Sequence, residues 1–232
     1  MLPILTEIVE ANEKAFQTAT EIRGVVQGSL TVGSYFSISS MIMPEVIRRF
    51  QEQFPGIRIE ILEGGNREMV AWMDNGLVDC CFCAKLPNSI IYDWIPIFED
   101  EMVVWLPPKH PRAKDTSFPV KDMEKEAFIH TSPERDTDQD RLLKEYNLHM
   151  NEKFSTRDGF STYNMVAAGL GISFNQRLIS QNWHSTVAEI PFDPPQIIEL
   201  GIAVSSLSDT SPATKKFIQC AQETVPKLTN NL

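Results

Sequence analysis

Apolar positions along this chain follow two periods. Leu30-Thr31-Val32-Gly33 alternates between bracketing glycines, the pattern of a short strand. Val46, Ile47, Phe50 and Phe54 then recur on one face of a 3.6-residue period, the pattern of a helix. Between the two, Ser34, Ser37, Ser39 and Ser40 supply a run of hydroxyls. The spacing predicts a strand, a hydroxyl-rich turn and a helix whose N-terminus lies at the carboxyl end of the strand, where open α/β sheets bind ligands. Unpaired amides and the positive dipole end favour an anion at such a place. The same serines would also serve as plain helix caps, so the pattern admits both readings. Pro44 is harmless only in a first helical turn, so the helix opens near Ser40, or opens near Ser37 and bends.

The same two periods organise the rest. Leu5, Ile8, Asn12, Ala15, Ala19, Ile22 and Val26 alternate at spacings of three and four, a heptad seam opposite a face carrying Glu7, Glu10, Glu13, Lys14 and Glu21. This predicts a linking or dimerising helix that ends between Gly24 and Gly28. Ile57 to Ile61 alternates as a second strand. Asn66 is expected to cap a helix carrying Met69, Val70 and Met73 that stops at Asn75-Gly76. Leu77 to Ala84 is apolar apart from Asp79, as a buried parallel strand would be. Further strands are expected at Glu101–Leu106, Phe128–Thr131 and Ile172–Phe174, and at Ile197–Val204 after a Pro191 to Pro195 turn. Helices are expected from Asp138 to Tyr146, from Tyr163 to Ala168 with Gly169 as left-handed cap and Leu170 as its apolar contact, and from Ser211-Pro212 onward. Alternating strands and helices in both halves define an α/β chain. The second half repeats the hydroxyl-rich helix start, at Asp158 to Thr162.

Charge and composition narrow the chemistry. A formal net charge of −10 and the absence of a dense Lys/Arg cluster argue against a nucleic-acid surface. No apolar run approaches the roughly 18 residues of a membrane span. The N-terminal residues lack the basic region and cleavage site of a secretory signal, so a cytoplasmic protein is expected. Cys80, Cys81, Cys83 and Cys220 lack zinc-ligand spacing and read as buried apolar residues. His110, His130, His149 and His184 form no triad or metal motif; only His130, beside Thr131, falls near a predicted ligand-binding end. There is no G-x-G-x-x-G, and no cofactor or metal is expected.

Taken together, the motifs resemble the effector-binding domain of LysR-type transcriptional regulators. Gly28-Ser-Leu-Thr-Val-Gly33, Pro44, Phe50 and Phe54-Pro55 resemble that family's opening strand and helix. Glu63-Gly64, Gly76-Leu77 and Asp79 are similar to its E-G and G-x-x-D pattern. Phe98-Glu99-Asp100 through Leu106, His110-Pro111, Phe128-Ile129, Val166-Ala-Ala-Gly-Leu-Gly-Ile172 and Ser211-Pro-Ala213 continue the likeness, and the segment before Gly28 resembles the linker helix.

The resemblance implies two doubly wound α/β subdomains joined by two crossover strands, a periplasmic-binding-protein-like arrangement preceded by a linker helix. The expected divisions are 1–27 for the linker, 28–104 and 105–205 for the subdomains, and 206–232 for a C-terminal helix returning to the first. It further implies a small, anionic effector in the cleft between subdomains, a homodimer or tetramer, and no enzymatic role. DNA contact is expected only through a winged helix-turn-helix that this sequence lacks. Carried over onto this sequence, the effector contacts are Ser37 with Ser34 and Ser39 beside it, and Thr131 and Phe160 on the opposite wall. Arg157 would be the counter-charge, and Asp158, if it points inward, would favour a ligand carrying a cationic or hydrogen-donating group. A freestanding solute receptor is the alternative reading.

Overall fold

Strand β1 (Gly28–Ser34) lies between two parallel neighbours, β2 (Ile57–Glu63) and β3 (Cys80–Ala84), in a computed structural model of the chain. The structure describes residues 8–9, 11–12, 14–15, 27–86, 92–133, 135–184 and 186–229. The chain divides into two units, one comprising Met1–Phe98 with Glu199–Leu232, the other Glu99–Ile198. Two long strands pass from one unit to the other, β4 (Asp93–Leu106) and β9 (Ala188–Val204).

In the first unit the chain leaves β1 through α1 (Phe36–Met41) and α2 (Met43–Gln53). They are separate helices broken at Ile42, with Pro44 in the first turn of α2 where its missing N–H costs nothing. The serine run therefore opens the first helix, and proline starts a second. Helix α3 (Asn66–Asp74) connects β2 to β3. The sheet continues antiparallel into β9, with Cys81 opposite Ala203 and Ala84 opposite Leu200. Asp79 ties the start of β3 to β1: its backbone N–H donates to Thr31 O at 2.8 Å, and its carboxylate accepts from Thr31 N at 2.7 Å. The last helix, α7 (Pro212–Thr229), packs on α2, where Phe217 meets Phe50 edge-on at 5.7 Å. Ser211 caps it by accepting from Thr214 N.

The second unit is built around β4, which is buried on both faces. Met102, Val104 and Leu106 point into one core with Phe118, Phe128, Leu142, Phe174 and Phe192. Val103 and Trp105 point into the other, with Ile129, Tyr163, Val166 and Ile179. The period of two explains the division, and β6 (Ala127–Thr131) repeats it with Phe128 and Ile129. One core is closed by α4 (Asp138–Glu145) through Leu142, the other by α5 (Gly159–Ala167) through Tyr163 and Val166. β4 pairs antiparallel with β8 (Ser173–Gln176), which leads into the short α6 (Arg177–Ser180). β6 pairs parallel with β7 (Asn151–Thr156), and β5 (Phe118–Pro119) with β9.

Several expectations change. The Pro191–Pro195 turn is strand: β9 runs through it without interruption from Ala188. Strand β7 was not anticipated, because its NEKFST sequence is exposed except at Thr156 and carries no apolar alternation. Asn66 is the first residue of α3 rather than its cap, which is Gly65. The Gly169 cap forms as expected: φ is +82°, Gly169 N donates to Val166 O and Leu170 N to Met165 O. Leu170 itself stands half exposed. Of the heptad seam, Ile8, Asn12 and Ala15 are helical and exposed, while Leu5, Ala19, Ile22 and Val26 lie outside the described residues.

Candidate functional site

The serine turn of the first unit does not cap its helix. Tyr35 is the N-cap of α1 and makes no side-chain cap bond. The hydroxyls fold back onto carbonyls instead: Ser34 and Ser39 donate to Tyr35 O at 3.2 and 3.0 Å, and Ser40 donates to Phe36 O at 2.7 Å. Each of these serines has thus committed its one hydrogen and keeps only lone pairs for any further partner. Ser34 and Ser37 are buried and Ser39 is partly so.

A second turn meets the first at this corner. The Tyr35 hydroxyl donates to Asn66 Oδ1, Gly64 N donates to Ser34 O at 3.2 Å, and Glu68 accepts from Gly65 N at 3.2 Å. Trp72, from the third turn of α3, lies over both strand ends. A Cβ at Gly33 would come within 3.3 Å of its ring, and one at Gly64 within 2.6 Å, so the indole needs glycine there. Sequence reasoning missed Tyr35, Asn66 and Trp72. A buried asparagine opening a helix directly after Gly64-Gly65 was the available signal, and it was assigned to capping.

In the second unit the hydroxyls are joined to each other. Thr131, 9 % exposed at the end of β6, contacts Thr162 Oγ1 at 2.9 Å, and Thr162 contacts Thr156 Oγ1 at 2.7 Å. Thr156 donates to Asp158 O at 2.8 Å. Gln139, 3 % exposed on α4, holds the other side of Thr131. It accepts from Thr131 N at 2.9 Å and donates to Ser173 Oγ at 3.1 Å and to Phe174 O. Ser173 donates in turn to Ile129 O at 2.8 Å. One amide therefore locks β6, β8 and α4 together.

The remaining expected residues divide. Asp158 is the N-cap of α5, accepting from Ser161 N at 2.7 Å. Arg157 is exposed, and its carbonyl accepts from Ser132 Oγ at 2.6 Å. Among the described residues its guanidinium makes no ion pair, so it is available to an anion. Phe160 is 53 % exposed, with its ring edge-on to Trp183 at 5.3 Å. Trp183 leans on Tyr163 and Trp105, giving this end of α5 an aromatic wall. His130 is bonded between Asp140 at 2.9 Å and Glu152 at 3.1 Å, a structural bridge from β6 to α4 and β7.

Two other groups of candidates resolve into packing. All four cysteines are free and buried. Burial pushes the Cys81 thiol up to about 12 and Cys80 well above the usual thiol range, with the Asp79 charge adding to the latter. A thiol held protonated is a poor nucleophile toward an oxidant. Among the described residues no group of three or more His, Cys, Asp or Glu side chains could hold a metal ion. No helix among them is long and apolar enough to cross a membrane.

Two α/β units joined by two long strands give the chain a periplasmic-binding-protein-like α/β fold. The family description "LysR substrate binding domain" matches residues 23–226, and the chain belongs to that family. Its relatives are transcriptional regulators, which does not favour a freestanding solute receptor. It is 23% identical over 223 residues to the uncharacterized HTH-type transcriptional regulator YvbU of Bacillus subtilis, covering 94% of this chain and 75% of that protein. It is 22% identical over 205 residues to the hydrogen peroxide-inducible genes activator of Haemophilus influenzae, covering 83% of this chain and 64% of that one. Its fold is similar to the effector binding domain of QuiR solved in complex with shikimate, with a TM-score of 0.75, 21% identity, and coverage of 87% of this chain and 98% of that one.

Proposed function

We propose that this chain is the sensor portion of a bacterial LysR-type regulator and that its effector is a small organic acid. The turn after β1 in the first unit and the turn before α5 in the second each carry side chains suited to contacting it. The observation that supports the reading is the gathering of hydroxyls where a strand passes into a helix in each unit: Ser34, Ser37 and Ser39 after β1, and Thr131 bonded to Thr162 in the first turn of α5. Arg157 supplies the charge for an acid group, and Phe160 backed by Trp183 supplies apolar wall. The effector binding domain of QuiR, similar in fold, was solved in complex with shikimate, a small organic acid. The chain acts by binding rather than turnover, works in the cytoplasm and functions as a homodimer or larger assembly.

The test is a thermal-shift screen against a panel of organic acids, since a ligand that binds only the native state raises the midpoint with dose. The hit is then titrated calorimetrically against Ser37→Ala. Loss of one hydrogen bond to a charged ligand group costs roughly 1.5–3 kcal/mol, about ten- to a hundredfold in affinity. Unchanged affinity in that variant removes Ser37 from the site.

A further inference from the structure

The hydroxyl chain in the second unit has a direction. Three contacts link Thr131 to Thr162 at 2.9 Å, Thr162 to Thr156 at 2.7 Å, and Thr156 to Asp158 O at 2.8 Å. All three lie in the hydrogen-bonded range for oxygen pairs, and each needs one hydrogen between its atoms. Three threonines supply one hydroxyl hydrogen apiece, and the Asp158 carbonyl supplies none. Only one assignment fills the three shortest contacts: Thr156 donates to Asp158 O, Thr162 to Thr156, and Thr131 to Thr162. The longer line from Thr162 Oγ1 to Asp158 O, at 3.2 Å, is then a passive approach. If Thr131 turned its hydrogen outward, two hydrogens would remain for three contacts. One oxygen pair would then stand in hydrogen-bonding distance with nothing between.

Gln139 closes the other side. Its carbonyl oxygen accepts from Thr131 N, and both Nε2 hydrogens are committed to Ser173 Oγ and Phe174 O, so the 3.5 Å approach of Nε2 to Thr131 Oγ1 adds no bond. The Thr131 hydroxyl hydrogen is taken by Thr162. What Thr131 has left for solvent or a ligand is a lone pair.

We infer that Thr131 meets the effector only as a hydrogen-bond acceptor, so that the effector group at this wall is a hydroxyl or an amine and not a carboxylate or phosphate oxygen. The inference rests on the reading above that Thr131 is an effector contact, and it narrows the class to hydroxy or amino acids. An acid group belongs elsewhere in the site, toward Arg157. Thr162 is the positioning residue: it never touches the ligand, yet it sets which way Thr131 points its hydrogen.

The polarity can be reversed by substitution. In Thr162→Val the inward acceptor is gone, Thr156 keeps its bond to Asp158 O, and the Thr131 hydrogen is released to point outward. The probes are lactate and 2-methoxypropionate, which share a carboxylate but differ in whether the neighbouring oxygen can donate. The readout is the shift of the amide resonances of residues 131 and 156–162 in the full chain at tens of millimolar probe. Lactate is expected to move them in the wild type and 2-methoxypropionate not. Thr162→Val is expected to reverse the preference and Thr162→Ser to restore it. A wild type that prefers the methoxy probe, or a Thr162→Val variant with the wild-type preference, overturns the inference. Neutron diffraction of deuterium-exchanged crystals reads the polarity without any ligand, and a deuterium on Thr131 pointing away from Thr162 overturns it as well. Deuterium found inward, with neither probe moving any amide of this wall, instead overturns the placement of the effector at Thr131.

Discussion

The two hydroxyl-rich turns look alike in sequence and are held in opposite ways. In the first unit Ser34, Ser39 and Ser40 each bond a carbonyl one to four residues away, and the Tyr35–Asn66 bond and the Gly64 N–H join this turn to the next. In the second unit Thr131, Thr156 and Thr162 bond one another across three elements, and Gln139 adds a fourth and a fifth. Local bonds of the first kind survive most single changes, because each residue loses only its own. A buried network concentrates its cost, because one deletion strands several groups at once. The first turn is therefore held by bonds that can be lost one at a time, while the second is held by a network whose bonds are lost together.

Removing Gln139 should show the largest effect. Gln139→Ala leaves Thr131 N, Ser173 Oγ and Phe174 O without their partner, and buried unsatisfied groups cost about 1–3 kcal/mol each without adding fully. A loss on the order of 3–5 kcal/mol by denaturant unfolding is expected, and a loss under about 1 kcal/mol would mean the network is not what holds this wall.

Asp138 gives the next effect, with the opposite sign. Its carboxyl, accepting from Gln176 Nε2 at 2.7 Å, is pushed up to about 6 by desolvation, although part of the residue surface still meets solvent. With the folded value above the unfolded one, the native state binds the proton more tightly. Stability from this group therefore falls as pH rises from about 4 through about 6 and stays reduced above. Asp138→Asn keeps an acceptor for Gln176 and should stabilise the protein at pH 7.5 by on the order of 1–3 kcal/mol. The gain should vanish below about pH 4, where both states of the wild type are protonated. A gain that persists there would point to a cause other than charge.

The first unit answers more weakly. Tyr35→Phe removes the hydroxyl that reaches Asn66 and should cost about 1–2 kcal/mol, measured as a lowered urea midpoint. Ser40→Ala removes only a bond to the carbonyl four residues back and should fall within about 0.5 kcal/mol of the wild type. A Ser40→Ala loss as large as that of Gln139→Ala would erase the contrast between the two turns.

Legibility in the sequence follows the same division between local and distant. Strands β1, β2 and β6, the helix pattern from Val46, the Gly169 stop and the Ser211-Pro212 start were all readable, because each depends on residues within a turn or two of one another. β7 was not, since its exposed side chains carry no apolar period and its existence depends on pairing with β6. β9 was cut short by proline, which a strand tolerates where no neighbour needs the missing N–H. At the site, the serines and threonines were visible as residue types, but the direction of their bonds was not. Gln139 gave no signal at all: it sits in a charged stretch, and its role depends on Thr131 and Ser173, 8 and 34 residues away. Asn66, the expected cap, is instead part of the buried corner, and Asp158, considered only as a conditional neighbour of the ligand, caps α5.

The central proposal is that hydroxyl-bearing residues of the strand–helix turns contact a small acid, and amide shift mapping with the hit from the organic-acid screen tests it most directly. Dose-dependent shifts confined to residues 34–40, 64–66, 131 and 156–162, saturating with a single affinity, are the predicted result. Saturable binding that leaves those amides unmoved and shifts others instead would contradict it.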